Sequence, residues 1–387
     1  MAIYLDHNAG APLRPEAAAA IARFAAEAHG NPSSAHRSGQ RARRMLEQAR
    51  AQVASLIGAQ PKQMVFTSGG TESNNFAIFG AIATAGNRRK VISSAIEHSS
   101  ILGSLNELER RGFETVRIAP DLDGRIDPAQ IAAALDRNTA LVTLGLANSE
   151  VGTIQDLAQL ARHVRDAGAV FHIDAAQAAG RIPIDVDALG CDLITISGHK
   201  LGAPAGIGAV YTRDAARVAP VMLGGPQENG LRAGTPNLLG AIAFGAVADA
   251  ARDAMATESA RIAVLAASLY SRLGEAISGL KLNGSMSSRI PNTLNLTFPG
   301  VLGESMLIAL DLEGVEVSMG SACAAGAVEP SHVLLAMRRS VADARSSLRI
   351  SLGWNTSADE IEQAAQIIPR VWRRVAAAEP ALEARAG

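Results

Sequence analysis

The chain has 387 residues, 48% hydrophobic and 19% charged, a length and balance that suit about two domains with large buried cores. Its net charge is −1 with no basic block, and aromatic residues make up 3%, so nothing in it points to nucleic acid or a membrane surface. The start, MAIYLDHNAGAP, has no basic stretch leading into an apolar one, no apolar run reaches about 18 residues, and there are only two cysteines; the expectation is a cytoplasmic protein with no membrane span and no disulfide framework.

Residues 37–57 have the period of an amphipathic helix, with Met45, Leu46, Val53, Leu56 and Ile57 on or near one side. MVFTSGGTESNN then reads as a short strand, a Gly-Gly turn and a helix start, with Ser68 or Thr71 in position to cap. Further strand-like runs start at Lys90, Thr115, Ala140, Ala169, Asp192 and Gly208, several of them separated by helical stretches. They read as continuous apolar runs rather than alternating ones, as expected for buried strands of a mainly parallel sheet in an α/β fold. After Pro236 the texture changes. Residues 237–280 are Ala-rich and helical in period, and NTLNLTFPG, GVEVSMG and SLRISLG add short alternating strands, which predicts a second, α+β domain.

Chemistry gathers at the ends of the buried strands. Lys200, in SGHKLGAP, follows one strand and precedes a Gly/Pro loop, at the sheet edge where α/β folds bind ligands. A lone lysine is usually an ordinary surface residue, but its neighbours change that reading. HIDAAQ leaves Asp174 and Gln177 at the same rim, and TSGGTES sets Gly70 and Thr71 at a helix start after a glycine turn, a ready phosphate site. A phosphate cradle, a carboxylate for a pyridine nitrogen and a lysine amine are what pyridoxal 5'-phosphate needs. Cys323 sits in SMGSACAAG, among small residues that offer few packing anchors. The other cysteine, Cys191, reads as a small buried residue, and His163 and His172 as structural or solvent-facing. No Cys-x-x-Cys, His-Glu-x-x-His or Walker A pattern is present, so no metal or nucleotide is expected.

The motifs TSGGTESNN, SAIEHSS, DAAQ, SGHK, LRAGTPN, GSAC and SSLRISLG, in this order, resemble the cysteine desulfurases of the NifS/IscS type, which are pyridoxal-phosphate enzymes of the class V aminotransferase fold. The resemblance runs from YLDHNAGAP to LRISLGWNTSADEI, nearly the whole chain. It implies an α/β protein of fold type I. Residues 15–254 would form a large cofactor-binding domain on a mainly parallel seven-stranded sheet. Residues 1–14 and 255–387 would form a smaller α+β domain carrying the catalytic cysteine.

The resemblance also implies roles. Lys200 would hold the cofactor covalently, Asp174 would face the pyridine nitrogen, His98 would stack on the ring, and Gln177 would bond the ring hydroxyl. Gly70, Thr71, Ser197 and His199 would hold the phosphate. Thr235 would reach the phosphate of a second subunit, so a homodimer is implied. Arg349 would grip the carboxylate of the substrate, L-cysteine. Cys323 would take the sulfur as a persulfide and pass it to an acceptor protein, in iron–sulfur cluster assembly or thiolation. The pattern departs in three places: Ser149 stands where an asparagine beside the ring is usual, Gly10 and Ala11 replace a Thr-Thr pair, and Asn229 replaces a common arginine. The Ala/Glu-rich end lacks the longer tail with which some members dock an iron–sulfur scaffold, which suggests a different acceptor. Selenocysteine lyase, another class V reaction and a non-catalytic sulfur carrier stay open; Lys200, Asp174, His98 and Cys323 together speak against the last.

Overall fold

The structure, a computed structural model, describes residues 2–27, 30–320 and 329–386. Cys323 lies outside the described residues. The chain begins with a two-residue strand, β1 (Ile3–Tyr4), and then builds the strands β2 (Met64–Thr67), β3 (Lys90–Ser94), β4 (Glu114–Ile118), β5 (Thr139–Gly145), β6 (Val170–Asp174), β7 (Leu193–Ser197) and β8 (Gly208–Thr212). The seven from β2 to β8 form one sheet in the order β2-β8-β7-β6-β5-β3-β4. Only β8 runs against its neighbours, β2 and β7; the remaining pairs are parallel.

The apolar runs have a simple cause. Successive side chains of a strand leave opposite faces of the sheet, and here both faces are covered. Val91, Leu141, Val170, Leu193 and Val210 pack against Phe76 and Ile78 of helix Gly70–Ala83 and Ile101 and Leu105 of helix Ser99–Arg110. Their chain neighbours Ile92, Val142, Phe171, Ile194 and Tyr211 pack on the other face with Leu46 and Val53 of helix Arg37–Ser55 and with Phe244 and Val247. The outermost strand, β4, is partly exposed.

The later strands are β9 (Lys281–Asn283), β10 (Thr293–Thr297), β11 (Val315–Glu316) and β12 (Ser347–Ser351). An antiparallel sheet runs β12-β10-β9, and β11 pairs in parallel with β1. Leu294, Leu296, Leu348 and Ile350 enter a separate core with Ile3, Leu5, Phe298, Ile361 and Ile368. Alternation of this kind usually marks one wet face, yet every residue of β10 and β12 is buried. The polar face is covered by the rest of the chain and hydrogen-bonds to it: Asn8 Nδ2 donates to Thr293 Oγ1 at 2.8 Å, the Asn8 N–H donates to Ser351 Oγ at 3.0 Å, and Asn295 Nδ2 donates to the Glu150 carbonyl at 3.3 Å.

Helix Leu238–Ala276 is continuous for 39 residues and serves both cores. Its first half, through Ala251, packs in the sheet-side core against the helix Arg37–Ser55, and Ile262, Ala266, Leu269 and Leu273 pack in the second core. Ile290, Val333, Leu334 and Met337, late in the chain, return to the sheet-side core. Among the described residues no helix is long and apolar enough to cross a membrane.

Candidate active site

Six strands of the large sheet point the same way, so the segments that follow them meet at one rim. Residues after β2, β3, β5, β6 and β7 line a cavity of about 370 Å³, with Asn8 and Ala9 from the start of the chain and Arg349 from β12. Of the residues singled out by sequence, Gly70, Thr71, His98, Ser149, Asp174, Gln177, Ser197, His199, Lys200 and Arg349 are all in its wall. Thr235 is exposed and is not part of this wall.

One end of the cavity is suited to an anion. Helix Gly70–Ala83 is capped by Gly69, without a side-chain bond, and not by Ser68 or Thr71 as expected from the sequence. The Ser68 N–H instead donates to Glu72 Oε2 at 2.8 Å. Gly69 takes φ +152°, and a Cβ on Gly208 behind it would come within 2.7 Å of the Gly69 Cα, so the turn needs both glycines. The first amides of a helix have no partners within it, and here Gly70 and Thr71 face the cavity. Ser197 Oγ and His199 Nδ1 lie 3.0 Å apart beside them. Burial, then the Lys200 and Arg181 charges, push His199 down to about 4.

The deeper wall holds the charged groups. Asp174, at the end of β6, accepts from Asn74 Nδ2 at 2.7 Å and from the Ala176 N–H at 2.9 Å, which fixes its carboxylate plane. Asn74 Oδ1 is buried without a partner. His98 caps helix Ser99–Arg110 by accepting the Ser100 N–H on Nδ1 at 3.1 Å. That places the proton of the neutral ring on Nε2. Burial lowers the His98 pKa, Asp174 opposes that shift, and Lys200 and His332 add to it. Lys200 Nζ donates to the carbonyls of Asn8 at 2.5 Å and Ala9 at 2.8 Å. Gln177 is held at both ends: Nε2 donates to the Asn8 carbonyl at 3.0 Å and Oε1 accepts from Arg181. Below the site, His172 is fully buried between Thr143 and Thr195 and is pushed down to about 4 by burial. Cys191 is also fully buried, and burial pushes its thiol up to about 12.

Glu97 was not singled out by sequence, although it stands beside His98 in the motif SAIEHSS. It lines the cavity and is 6% exposed. Ser94 Oγ donates to its Oε1 at 2.5 Å and the Gly145 N–H to its Oε2 at 2.9 Å. Burial, helped by the Asp174 charge, outweighs these bonds and raises it to about 8. Only its unusual burial marks it, and burial of one carboxyl is not readable from a motif.

Arg349 enters the cavity from the strand β12. It is 1% exposed. Its guanidinium donates to Asp6 Oδ1 at 2.7 Å and to the Ser149 carbonyl at 3.3 Å, and Nε is buried without a partner. The donors left over suit a small carboxylate. Ser149 thus contributes its backbone to the arginine, whatever its side chain does; its carbonyl also accepts from Asn8 Nδ2 at 3.1 Å.

Donor groups of these kinds fit pyridoxal 5'-phosphate: unpaired helix amides for the phosphate, Asp174 for the ring nitrogen and the Lys200 amine in the same wall. The fold and site define a fold type I α/β enzyme dependent on that cofactor. The chain belongs to the aminotransferase class V family, whose model matches residues 3–364. The cysteine desulfurase IscS of Dictyoglomus turgidum is 40% identical, over 98% of this chain and 96% of its own length. Among solved structures, a NifS-like protein superposes with a TM-score of 0.90 at 30% identity, covering 96% of this chain and 99% of that one. The protein SspA, solved in complex with cysteine, superposes with a TM-score of 0.80 at 32% identity, covering 90% and 98% of the two chains.

Proposed function

We propose that the chain is a cysteine desulfurase: L-cysteine and an acceptor thiol give L-alanine and an acceptor persulfide. The observation that carries this reading is the join between Arg349 and the segment leading to Cys323. The Ser318 N–H donates to the Arg349 carbonyl at 3.1 Å, and the Arg349 N–H donates to the Ser318 carbonyl at 2.6 Å. The chain therefore leaves the substrate-binding arginine five residues before the cysteine.

When bound, pyridoxal phosphate supplies an electron sink for bond breaking at the substrate. Lys200 holds it, Gly70, Thr71, Ser197 and His199 take its phosphate, and Asp174 and Gln177 take its ring. Arg349 grips the substrate carboxylate and so fixes which face of the amino acid meets the ring. His98 Nε2 carries the proton that its ring can donate. The Cys323 thiolate attacks the substrate sulfur and forms the S–S bond of a persulfide as the carbon–sulfur bond breaks; protonation of the carbon releases alanine. An ordinary thiol is only about 3% thiolate at pH 7, so Cys323 needs a proton acceptor when it attacks.

The proposal extends to the assembly. The two cores are read as a large domain, 15–254, and a small one, 1–14 with 255–387, joined through the long helix. Thr235, exposed and outside its own cavity, is assigned to the phosphate of a second copy. Val221, Met222 and Leu223, 45%, 45% and 80% exposed, are apolar surface for that contact. The sulfur acceptor is a protein thiol, and the cytoplasm, where thiols stay reduced, is the compartment in which the transfer works.

Sulfide release from L-cysteine with a reducing thiol tests the reading, with Cys323→Ala as control. Wild type is expected to release sulfide and Cys323→Ala to lose that activity while staying yellow. A yellow wild type that releases none would refute it and move attention to other amino acids.

A further inference from the structure

The reaction above leaves Glu150 unused, yet its setting is unusual. It is 2% exposed, and among the described residues no cation lies within ion-pair distance of it. Buried carboxylates are rare unless paired. Its Oε2 accepts the Ser331 hydroxyl at 2.5 Å. On the other side, a Cβ built on Gly320 would come within 3.0 Å of the same oxygen, and Gly320 takes φ +133°. The carboxylate is therefore wedged between two residues that bracket Cys323, which comes three positions after Gly320 and eight before Ser331.

Both flanks also touch the cavity wall. On the Gly320 side, Ser318 bonds the backbone of Arg349. On the other, His332 Nε2 lies 3.1 Å from the Glu97 carbonyl. Glu150 itself is fixed from three directions. Its N–H donates to Asn148 Oδ1 at 2.9 Å, its carbonyl accepts from Asn295, and its chain neighbour Ser149 gives its carbonyl to Arg349 and Asn8. One rigid corner after β5 thus sets the substrate arginine through Ser149 and both flanks of the cysteine segment through Glu150.

We propose that Glu150 is a positioning residue for sulfur transfer, holding Gly320 and Ser331 in place so that Cys323 is presented to the substrate sulfur. The inference rests on the cysteine desulfurase reading. It acts on the transfer to Cys323 and not on cofactor or substrate binding, so the two can be separated.

The test uses the holoenzyme and three variants: Glu150→Ala, Glu150→Gln and Gly320→Ala. Three quantities are read: cofactor absorbance, its change on adding L-cysteine, and the mass gain of one sulfur atom on the enzyme in a single turnover. Glu150→Ala is expected to keep the first two and to slow the third by about tenfold to a hundredfold, the range for a lost buried hydrogen bond. Glu150→Gln keeps an acceptor for Ser331 and is expected to restore most of the rate. Gly320→Ala pushes on the carboxylate without removing it and is expected to show the same selective loss, so it decides the matter if Glu150→Ala does not fold. Sulfur transfer at the wild-type rate in a loaded Glu150→Ala or Gly320→Ala enzyme overturns the proposal, and so does loss of cofactor binding together with transfer in a folded variant. If wild type itself gains no sulfur, the desulfurase reading has failed instead.

Discussion

Replacing Glu97 by glutamine should make the protein less sensitive to alkaline pH. In the fold this carboxyl is buried beside Asp174 and is raised from 4.5 to about 8 by desolvation, with Asp174 adding to it. The folded chain then keeps a proton that the unfolded chain has lost. Stability from this group is full below the unfolded value and is lost as pH rises toward about 8, after which it is level. The linkage is about 1.4 kcal/mol per pH unit, so the window from 4.5 to about 8 is worth about 5 kcal/mol at most, and about 3 kcal/mol of that falls above pH 6. Glutamine has the shape of the neutral acid, still accepts the Gly145 N–H, and has no proton to lose.

The assay is denaturant unfolding of wild type and Glu97→Gln from about pH 6 to about pH 9, without cofactor so that Asp174 faces no pyridinium. The variant should gain on wild type steadily up to about pH 8 and hold a constant lead above it. Parallel curves across the whole range would show that Glu97 titrates alike in both states, and desolvation would then not govern the deep wall of the cavity.

Two other perturbations follow from the same geometry. Arg50 makes a two-bond pair with Glu228, at 2.5 and 2.9 Å, with both side chains buried and Glu228 also taking the Phe66 N–H; Glu228→Ala leaves the guanidinium only Glu47 at 3.2 Å and the Met64 carbonyl at 3.0 Å and should cost about 3 kcal/mol in denaturant unfolding. Arg349→Lys replaces a planar fork by a point charge and should raise KM for L-cysteine about tenfold or more while cofactor absorbance stays unchanged; loss of the absorbance instead would mean that Arg349 serves the cofactor site.

The large sheet and most of the cavity wall were legible because they depend on local pattern. A β-strand buried on both faces has to be apolar along its whole length, and a ligand site at a parallel sheet's rim has to follow directly after such strands. Asp174 and Lys200 could therefore be placed by their position after a strand alone. The cap of helix Gly70–Ala83 differs from the sequence expectation for a local reason too. A serine or threonine is the usual cap, but its side-chain oxygen would take one of the first amides of the helix, and Gly69 makes no side-chain bond to them.

What stayed hidden depends on contacts between distant parts of the chain. The polar alternation of β10 and β12 resembles a solvent-facing strand until Asn8 and the carbonyls of Ser149 and Glu150 are seen to bond it. Position 255 falls within one unbroken helix because a helix can change the core it serves without changing its period. Glu97 stands in a motif read for His98, and Glu150 in none that was read: a carboxyl acquires a raised pKa or a close contact from what packs on it, and Gly145 and Asp174 lie far from Glu97 in the sequence, as Gly320 and Ser331 do from Glu150. Candidate reaction residues can be read by type and order, whereas Glu97 and Glu150 come to notice only by their burial. This is why the two carboxyls overlooked by sequence are the ones on which the sharpest tests now rest.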